Sequence, residues 1–213
     1  MADPKRDTKN TPSRILTKSL QLFNEFGEPN ITTNSLAEHL NISPGNLYYH
    51  FRNKEDIVNS LFAEFEKHIG AILATPDYHS PNIEDAWLFL HLMFETIWRY
   101  RFLYRDLNDL LIHNRRLEIS FRKIPDTKIR IAEHLCQGLQ MHGELSLSRR
   151  ETQAMATNMM VLATYWLSYE HLYADCLIML IIHKSMLHNA ITFSENNYCV
   201  IVNTLKRLSV KCW

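Results

Sequence analysis

The stretch that most constrains the fold runs from Ile31 to Asp56, ITTNSLAEHLNISPGNLYYHFRNKED. Thr32 or Thr33 can cap a first short helix. Ser43 and Pro44 restart the chain, because a serine hydroxyl accepts from free helix amides while proline at the first position has no donor to lose. The inward residues lie at helical spacing: Leu36, Ala37, Leu40, Leu47 and Phe51. The stretch therefore predicts two short helices joined by a tight turn.

The turn and the helix after it have signals of their own. Asn41 stands where the chain must leave the first helix, in a left-handed conformation that asparagine tolerates, and Ile42 is the apolar residue of the turn. Asn53 is followed three residues later by Asp56, a capping pattern. A longer helix is therefore predicted to begin at Lys54.

Two short helices across such a turn are typical of the helix-turn-helix, whose second helix enters the major groove of DNA. A glycine allows close approach of the backbone, asparagine reads a base edge, and tyrosine or histidine binds phosphates. The outward residues of the second helix are Pro44, Gly45, Asn46, Tyr48, Tyr49 and His50. A hairpin buried in a bundle would also explain the apolar spacing, but not these polar aromatic residues.

The run SPGNLYYHFRNKEDIVNSLF resembles the recognition helix and the following helix of the tetracycline-repressor (TetR) family. The earlier run RILTKSLQLFNEFG resembles that family's first helix, so the likeness covers roughly residues 12 to 70. The motif LYYHF followed by NKE is specific. The resemblance implies an all-helical, dimeric protein with a three-helix DNA-binding head and a larger helical body for ligand binding and dimerisation.

The resemblance also implies individual DNA contacts. They are Thr33 and Asn34 from the second helix, Gly45, Asn46, Tyr48, Tyr49 and His50 from the third, and Lys54 from the fourth. Two positions depart from the family pattern. Asn34 stands where many relatives have arginine, and Asn41 where many have glycine; these departures bear on phosphate contact and on turn geometry.

Composition limits the electrostatic argument. The 213 residues are 46% hydrophobic and 22% charged, which is ordinary for a globular chain with a sizeable core. The formal net charge is zero and the pI is about 7.2, so any positively charged surface that attracts nucleic acid must be local. Binding is therefore expected to depend on a dimer that doubles the contacts.

Three segments are predicted along the chain. Residues 1–11 form a flexible polar arm, residues 12–73 the helix-turn-helix domain with its connecting helix, and residues 80–213 the effector-binding and dimerisation domain. The run TPDYHSPN breaks the helical pattern and marks the boundary. The helix from Lys54 to about Leu73 starts near the DNA and ends near the body, which gives regulation a physical route.

The body is predicted to be helical throughout. Residues 83–100 are apolar on nearly every face, residues 102–114 continue the pattern, and a helix over 117–142 is expected to bend at Pro125. Ser148 and Glu151 form a capping box for a helix that ends near Tyr173 and has two apolar stripes, one for its own domain and one for a second subunit. Residues 176–193 and 198–208 complete the pattern, and the resemblance implies a dimer built from the last two main helices.

An effector pocket is expected where aromatic side chains with polar tips line the body. The candidates are Trp87, Phe94, Trp98, Phe102, Tyr104, His113, Phe121, Tyr165 and Trp166. The alternative is that these aromatic residues belong to the core. Arg99, Arg101 and Arg105 stand beside two aspartates, either as a solvated, salt-bridged face or with one arginine turned inward toward an anionic ligand.

Other classes of protein fit the sequence poorly. It contains no HExxH, no glycine-rich phosphate loop, no nucleophile elbow and no paired carboxylate motif, so no enzyme, metal or cofactor is expected. The four cysteines lack the spacing of metal ligands and are predicted to be reduced thiols. A redox sensor is the alternative, but no sequence feature supports it. The uncharged run 152–169 includes Gln153, Thr157, Asn158, Thr164 and Ser168, so a buried helix is predicted there and not a membrane span. No signal peptide is expected, so a cytoplasmic location is predicted.

The sequence therefore predicts a transcription regulator. It is expected to be a repressor that binds a pseudo-palindromic double-stranded DNA operator as a homodimer and is released by a small apolar or amphipathic effector, without a membrane partner. The alternative is a dimeric helical adaptor that binds protein through its head and does not select a DNA sequence.

Overall fold

A computed structural model of the chain describes residues 11–74 and 81–173. Within these ranges every regular element is an α-helix, which confirms the predicted fold class. The described helices are α1 (Thr11–Phe26), α2 (Thr33–His39), α3 (Pro44–His50), α4 (Lys54–Leu73), α5 (Ile83–Arg99), α6 (Arg101–Arg105), α7 (Leu107–His113), α8 (Arg115–Phe121), α9 (Lys123–Met141) and α10 (Arg149–Tyr173).

Several predicted segments lie outside the described residues. They are residues 1–10 of the arm, most of the TPDYHSPN break, the two segments at 176–193 and 198–208, and three of the four cysteines. The fourth, Cys136, is buried, and burial together with nearby Glu133 raises the pKa of its thiol. A protonated buried thiol is a poor nucleophile, so this cysteine offers no support for a redox sensor.

Helix α1 is amphipathic and ends just before a glycine. Ile15, Leu22 and Phe23 are buried on one face. Gly27 follows with a φ of +89°, and its amide donates to the Phe23 carbonyl at 3.0 Å. This left-handed conformation is one that glycine adopts without a Cβ penalty, so the residue ends the helix and turns the chain toward α2.

The described residues fall into two compact units, 11–74 with 89–127 and 81–88 with 128–173. In the first unit, α4 packs against α1 and α8, while α1 also packs against α2 and α6. This unit therefore contains more of the chain than the predicted DNA-binding segment 12–73. The assignment of separate functions to 12–73 and 80–213 stays a prediction.

An aromatic cluster forms the core of the first unit around Phe65 of α4. The Phe65 ring lies 5.7 Å, centroid to centroid, from Tyr100 and from Tyr104, and 5.8 Å from Phe62. Phe121 of α8 closes the cluster at 5.8 Å from Tyr104. Tilted and edge-on rings at these separations are the arrangement aromatic pairs prefer, so the cluster fixes α4 against the helices that follow.

Two predictions for the body need correction. The expected helix over 117–142 is two helices, and the break falls at Arg122, not at Pro125. Pro125 lies in the first turn of α9, where the missing amide hydrogen is not needed for a helical bond and proline causes no bend. The segment expected to continue from 102 to 114 is likewise divided into α6 and α7, with the division at Asp106.

The capping box predicted for α10 is present. The Ser148 amide donates to a carboxylate oxygen of Glu151 at 2.7 Å, and the Glu151 amide donates to the Ser148 hydroxyl at 3.4 Å. The hydrogen bonds from Ser148 lower the pKa of the Glu151 carboxyl, so the cap is kept in its charged form.

Candidate nucleic-acid interface

The two helices of the sequence-defined stretch are each held by a side-chain cap. The Thr32 hydroxyl accepts from the Ser35 amide at 3.1 Å, which fixes the start of α2. The Ser43 hydroxyl accepts from the Asn46 amide at 3.2 Å, and Pro44 occupies the first position of α3. These bonds satisfy amides that a helix start leaves without partners, so the first residue of each short helix is well defined.

The turn between them has the geometry expected of a helix-turn-helix. Asn41 is the described non-glycine residue with positive φ, at 51°, as the sequence predicts. The Asn41 amide donates to the Glu38 carbonyl and the Ile42 amide to the Ala37 carbonyl, both at 3.0 Å. The paired bonds close the end of α2 and direct the chain into α3.

One face of this pair of helices is buried and the opposite face is open. Leu36, Ala37 and Leu47 have at most 1% of their surface exposed. Tyr48, the next residue in sequence after Leu47, is 45% exposed, and Tyr49, two residues after Leu47, is 84% exposed. Helical geometry accounts for the difference, because adjacent residues lie about 100° apart around the axis.

The remaining predicted contact residues lie on or beside this open face. Asn34, Pro44, Gly45 and Asn46 are exposed, and His50 is half-buried. The His50 ring meets the Tyr49 ring edge-on at a centroid distance of 5.0 Å. Helix α3 contains no acidic residue, so nothing on it repels a phosphate backbone.

Tyr48 is oriented by a contact from α2. Its phenol oxygen lies 2.8 Å from the Thr33 hydroxyl, and either group can be the donor. A hydroxyl pair of this kind keeps one hydrogen or lone pair of each group for a further partner. Thr33 and Tyr48 therefore present a joined polar site that spans α2 and α3, whereas Tyr49 projects without such a brace.

Lys54 has a different environment from the one the sequence suggests. The asparagine cap is as predicted, since the Asn53 side chain accepts from the Asp56 amide at 2.8 Å and α4 begins at Lys54. The lysine ammonium, however, lies 2.9 Å from a carboxylate oxygen of Glu28 and donates to the Glu28 carbonyl at 3.0 Å. Lys54 is thus an ion-paired group at the start of α4, four residues after the end of α3.

A polar junction joins the end of α1 to α5 and α6, and no sequence pattern predicts it. The Asn24 amide group donates to the Arg99 carbonyl at 2.8 Å, and its oxygen accepts from the Phe102 amide at 3.1 Å. The Arg105 guanidinium donates to the carbonyls of Phe23 and Asn24 at 2.7 and 3.3 Å. The partners are 75 to 82 residues apart, beyond the reach of any local pattern.

The arginine cluster therefore divides among three environments. Arg105 is partly buried on the last carbonyls of α1, a placement that cations at a helix C-terminus favour. Arg101 lies over the Trp98 ring at 4.9 Å, and Arg99 lies over the Tyr100 ring at 5.6 Å. The Arg105 Nε also lies 3.8 Å from a carboxylate oxygen of Asp106, so the predicted salt bridge is present, although this arginine is partly buried and not on a solvated face.

The candidate pocket residues of the first unit differ in burial. Phe94, Phe102, Tyr104 and Phe121 are buried, whereas Trp98 and His113 are exposed. Phe102 packs on Phe23 at 5.4 Å, and Tyr104 belongs with Phe121 to the aromatic cluster. Burial raises the pKa of Tyr104, so its hydroxyl remains protonated. His113 instead pairs with Asp109 on the surface.

In the second unit, Trp87 is half-buried, Tyr165 is exposed and Trp166 is buried. The stripe of α10 that contains Ala156, Ala163 and Leu167 is buried. The other stripe is only partly covered: Leu162 is exposed, and Met155 and Met159 are half-buried. A pocket built from these residues and a dimer built on α10 both stay predictions. Over the described part of the chain, no helix combines the length and apolar character needed to cross a bilayer.

Two family patterns match the chain. Residues 15–61 match the family described as "Bacterial regulatory proteins, tetR family", and residues 64–179 match the one described as "Bacterial transcriptional repressor". Together they include the helix-turn-helix and more than half of the chain's length.

Individual relatives agree with these matches. The tetracycline repressor protein class A from transposon 1721 of Escherichia coli is 40% identical over 81 residues, which are 38% of this chain and 34% of that protein. The class G protein of Vibrio anguillarum is 37% identical over 54 residues, 25% of this chain and 26% of that protein. The chain thus spans about a third or less of the length of these curated relatives.

A solved structure extends the similarity over most of the chain. The crystal structure of a TetR-family transcriptional regulator from Marinobacter aquaeolei VT8 is 35% identical and superposes with a TM-score of 0.74. The superposition covers 84% of this chain and 87% of that one. A TetR transcription regulator from Haloarcula marismortui, at 12% identity and a TM-score of 0.65 over 85% of this chain and 97% of that one, shares the fold.

Proposed function

The chain belongs to the tetracycline-repressor (TetR) family of bacterial transcriptional regulators, and on this premise we propose that it is a dimeric repressor. Each head places α3 in the major groove of a pseudo-palindromic double-stranded DNA operator. Two heads then occupy successive major grooves on one side of the duplex, about 34–36 Å apart. This spacing doubles the contacts available to a chain with no net charge.

The observation that carries the proposal is the open face of α3. An 84% exposed tyrosine stands two residues from a fully buried leucine on a seven-residue helix that is capped by serine and started by proline. An exposed aromatic ring gains little from water and is well suited to a DNA surface, where it meets sugar, base edge and phosphate together. Tyr49 therefore projects as the outermost reading group.

The other residues of the face divide by chemistry. Asn46 and the exposed backbone at Gly45 are assigned to base edges, since asparagine can pair bidentately with adenine. The Thr33 and Tyr48 hydroxyls, His50 and the asparagine at position 34 suit phosphate oxygens, which fix register without reading sequence. With few cations on this face, operator affinity should depend on salt through a small number of phosphate contacts.

Release is assigned to a small apolar or amphipathic effector bound in the helical body. The effector acts by preferring a head spacing that no longer matches the two half-sites. A coupling free energy of about 1–3 kcal/mol between effector and operator is enough for a usable switch. The proposal has no catalytic step and needs no cofactor or metal, and it places the protein in the cytoplasm with its DNA.

The reading face is tested by Tyr49→Ala. Fluorescence anisotropy with the DNA upstream of the chain's own gene, against a scrambled duplex, should show operator affinity reduced about tenfold to a hundredfold, the loss of about 1–3 kcal/mol expected for a contact residue. The melting temperature should not change, because the side chain is exposed. Tyr49→Phe, which keeps the ring and removes the hydroxyl, separates stacking from hydrogen bonding.

The same titration distinguishes a regulator from an adaptor. Equal binding of wild-type protein to operator and scrambled duplexes would favour the adaptor, and normal operator binding by Tyr49→Ala would show that the reading face is assigned wrongly. Effectors are then sought by thermal shift across lipids, dyes and antibiotics. A flat response to all of them would argue against an accessible pocket in the body.

A further inference from the structure

Glu28, between α1 and α2, forms an ion pair with Lys54, the first residue of α4 and a predicted DNA contact. We propose that Glu28 is an internal competitor of the operator phosphate for Lys54, and that it sets how strongly the free head binds DNA. The inference rests on the proposed function, because it concerns the same interface. It assigns a role to a buried acid that the helix-turn-helix pattern does not include.

The geometry shows how fully Glu28 engages the lysine. An ammonium group has three N–H donors, and two of the three in Lys54 are directed to Glu28, one to its carboxylate and one to its carbonyl. The Lys54 side chain retains 29% of its exposure, so the third donor faces solvent. A phosphate can reach the lysine, but only beside an existing negative partner.

Glu28 is fixed in this position. The residue is 8% exposed, and its backbone amide donates to a carboxylate oxygen of Asp106 at 3.1 Å. Asp106 in turn follows Arg105, which binds the last carbonyls of α1. The Glu28 backbone is braced in this way, and its side chain retains only 11% of its exposure, so the carboxylate has less freedom to leave Lys54 than that of a surface glutamate.

The electrostatic consequence follows directly. A lysine that is already neutralised releases fewer counterions from DNA than a free one, because the release depends on net positive charge delivered to phosphate. A phosphate that approaches Lys54 also approaches the Glu28 carboxylate, and like charges brought together at an interface oppose binding. Glu28 therefore lowers both the affinity and the salt sensitivity of the head.

The test compares full-length wild-type protein with Glu28→Gln, which keeps the shape and removes the charge. Affinity for a fixed duplex is measured by anisotropy at several salt concentrations. Glu28→Gln is expected to bind about three- to thirtyfold more tightly, with a logarithmic salt slope steeper by up to about 0.9 per head, the contribution of one additional phosphate contact. The gain in affinity should vanish in the double variant with Lys54→Gln, because Glu28 and the phosphate then have no lysine to share.

Glu25→Gln is the matched control, since it removes one exposed acid three residues away on α1. Affinity and slope equal to wild type in Glu28→Gln, with its helical circular dichroism intact, would overturn the inference. So would an equal gain in Glu25→Gln, or a gain that persists beside Lys54→Gln. The wild-type comparison of operator with scrambled duplex tests the proposed function separately, because the Glu28 effect is read on one duplex.

A second measurement decides the matter if Glu28→Gln does not fold. Lys54→Gln alone should reduce the salt slope by clearly less than about 0.9 per head, because part of the lysine charge is already neutralised. A reduction by the full amount would mean that Lys54 meets phosphate as a free cation, and the competitor role of Glu28 would be refuted.

Discussion

Asn24 holds the end of α1 to the junction of α5 and α6, so its replacement by alanine should be strongly destabilising. The residue is 8% exposed, and its side chain donates a hydrogen bond to the Arg99 carbonyl at 2.8 Å and accepts one from the Phe102 amide at 3.1 Å. Each backbone group that loses its buried partner costs about 1–3 kcal/mol. Because the site is partly accessible, we expect a loss of about 2–4 kcal/mol for Asn24→Ala.

Urea unfolding followed by circular dichroism measures this loss. In a chain of this size each kcal/mol lowers the melting temperature by about 2–4 °C, so a fall of about 4–16 °C should accompany it. Asn30→Ala is the matched control, because Asn30 is exposed and makes one hydrogen bond, to the Phe26 carbonyl at 2.8 Å. It should change stability by no more than about 0.5 kcal/mol.

A loss below about 0.5 kcal/mol for Asn24→Ala, equal to that of the control, would refute the reasoning. It would mean that water replaces both bonds without penalty and that the junction is not held by this side chain. The variant Asn24→Asp refines the result. It keeps an acceptor for the Phe102 amide but sets a carboxylate against the Arg99 carbonyl, so it should not restore wild-type stability.

Two further perturbations test other parts of the account. Gly27→Ala should destabilise by about 1–2 kcal/mol in urea unfolding, because its φ of +89° disfavours a Cβ that would also lie 3.3 Å from the Asn30 amide nitrogen. Gly70 lies inside α4, and a Cβ added there would meet no atom within 4 Å. Gly70→Ala should therefore raise the free energy of unfolding by about 0.5–1 kcal/mol, and a change of the same sign in both variants would contradict this reasoning. Burial lowers the pKa of Lys128 from 10.5 to about 7. Between pH 7 and pH 10.5 this lysine is therefore protonated in the unfolded chain and mostly neutral in the folded one. The unfolding free energy should therefore rise from pH 7 to pH 9, and Lys128→Met should flatten that rise.

Features that depend on neighbours within about four residues are predictable from the sequence. The caps at Ser43 and Asn53 and the left-handed Asn41 are confirmed, and of the two threonines expected to cap α2 it is Thr32 that does so. Such features are predictable because a cap or a turn is decided by the residues it contains. The exposure of Tyr48 and Tyr49 is predictable for the same reason. Once Leu47 is assigned to the core, helical geometry fixes where its neighbours project.

Features that depend on distant residues are not predictable in this way. The pairing of Lys54 with Glu28 joins positions 26 apart, and the bond of Glu28 to Asp106 joins positions 78 apart. The proline rule also failed at Pro125, because proline breaks a helix interior but is accepted in a first turn, and the sequence did not show where that helix starts. The burial of the aromatic residues proposed for the effector pocket was also not predictable from the sequence. Spacing alone did not separate Phe121, which is in the core, from the exposed His113.

The most direct test of the central claim is a footprint of the protein on the DNA upstream of its own gene. Hydroxyl-radical cleavage should show two protected half-sites of related inverted sequence, centred about 10 base pairs apart or a multiple of that spacing, on one face of the duplex. The protection should disappear with Tyr49→Ala at the same protein concentration. Uniform protection along the fragment, or an unchanged footprint with Tyr49→Ala, would contradict the claim that the open face of α3 reads DNA.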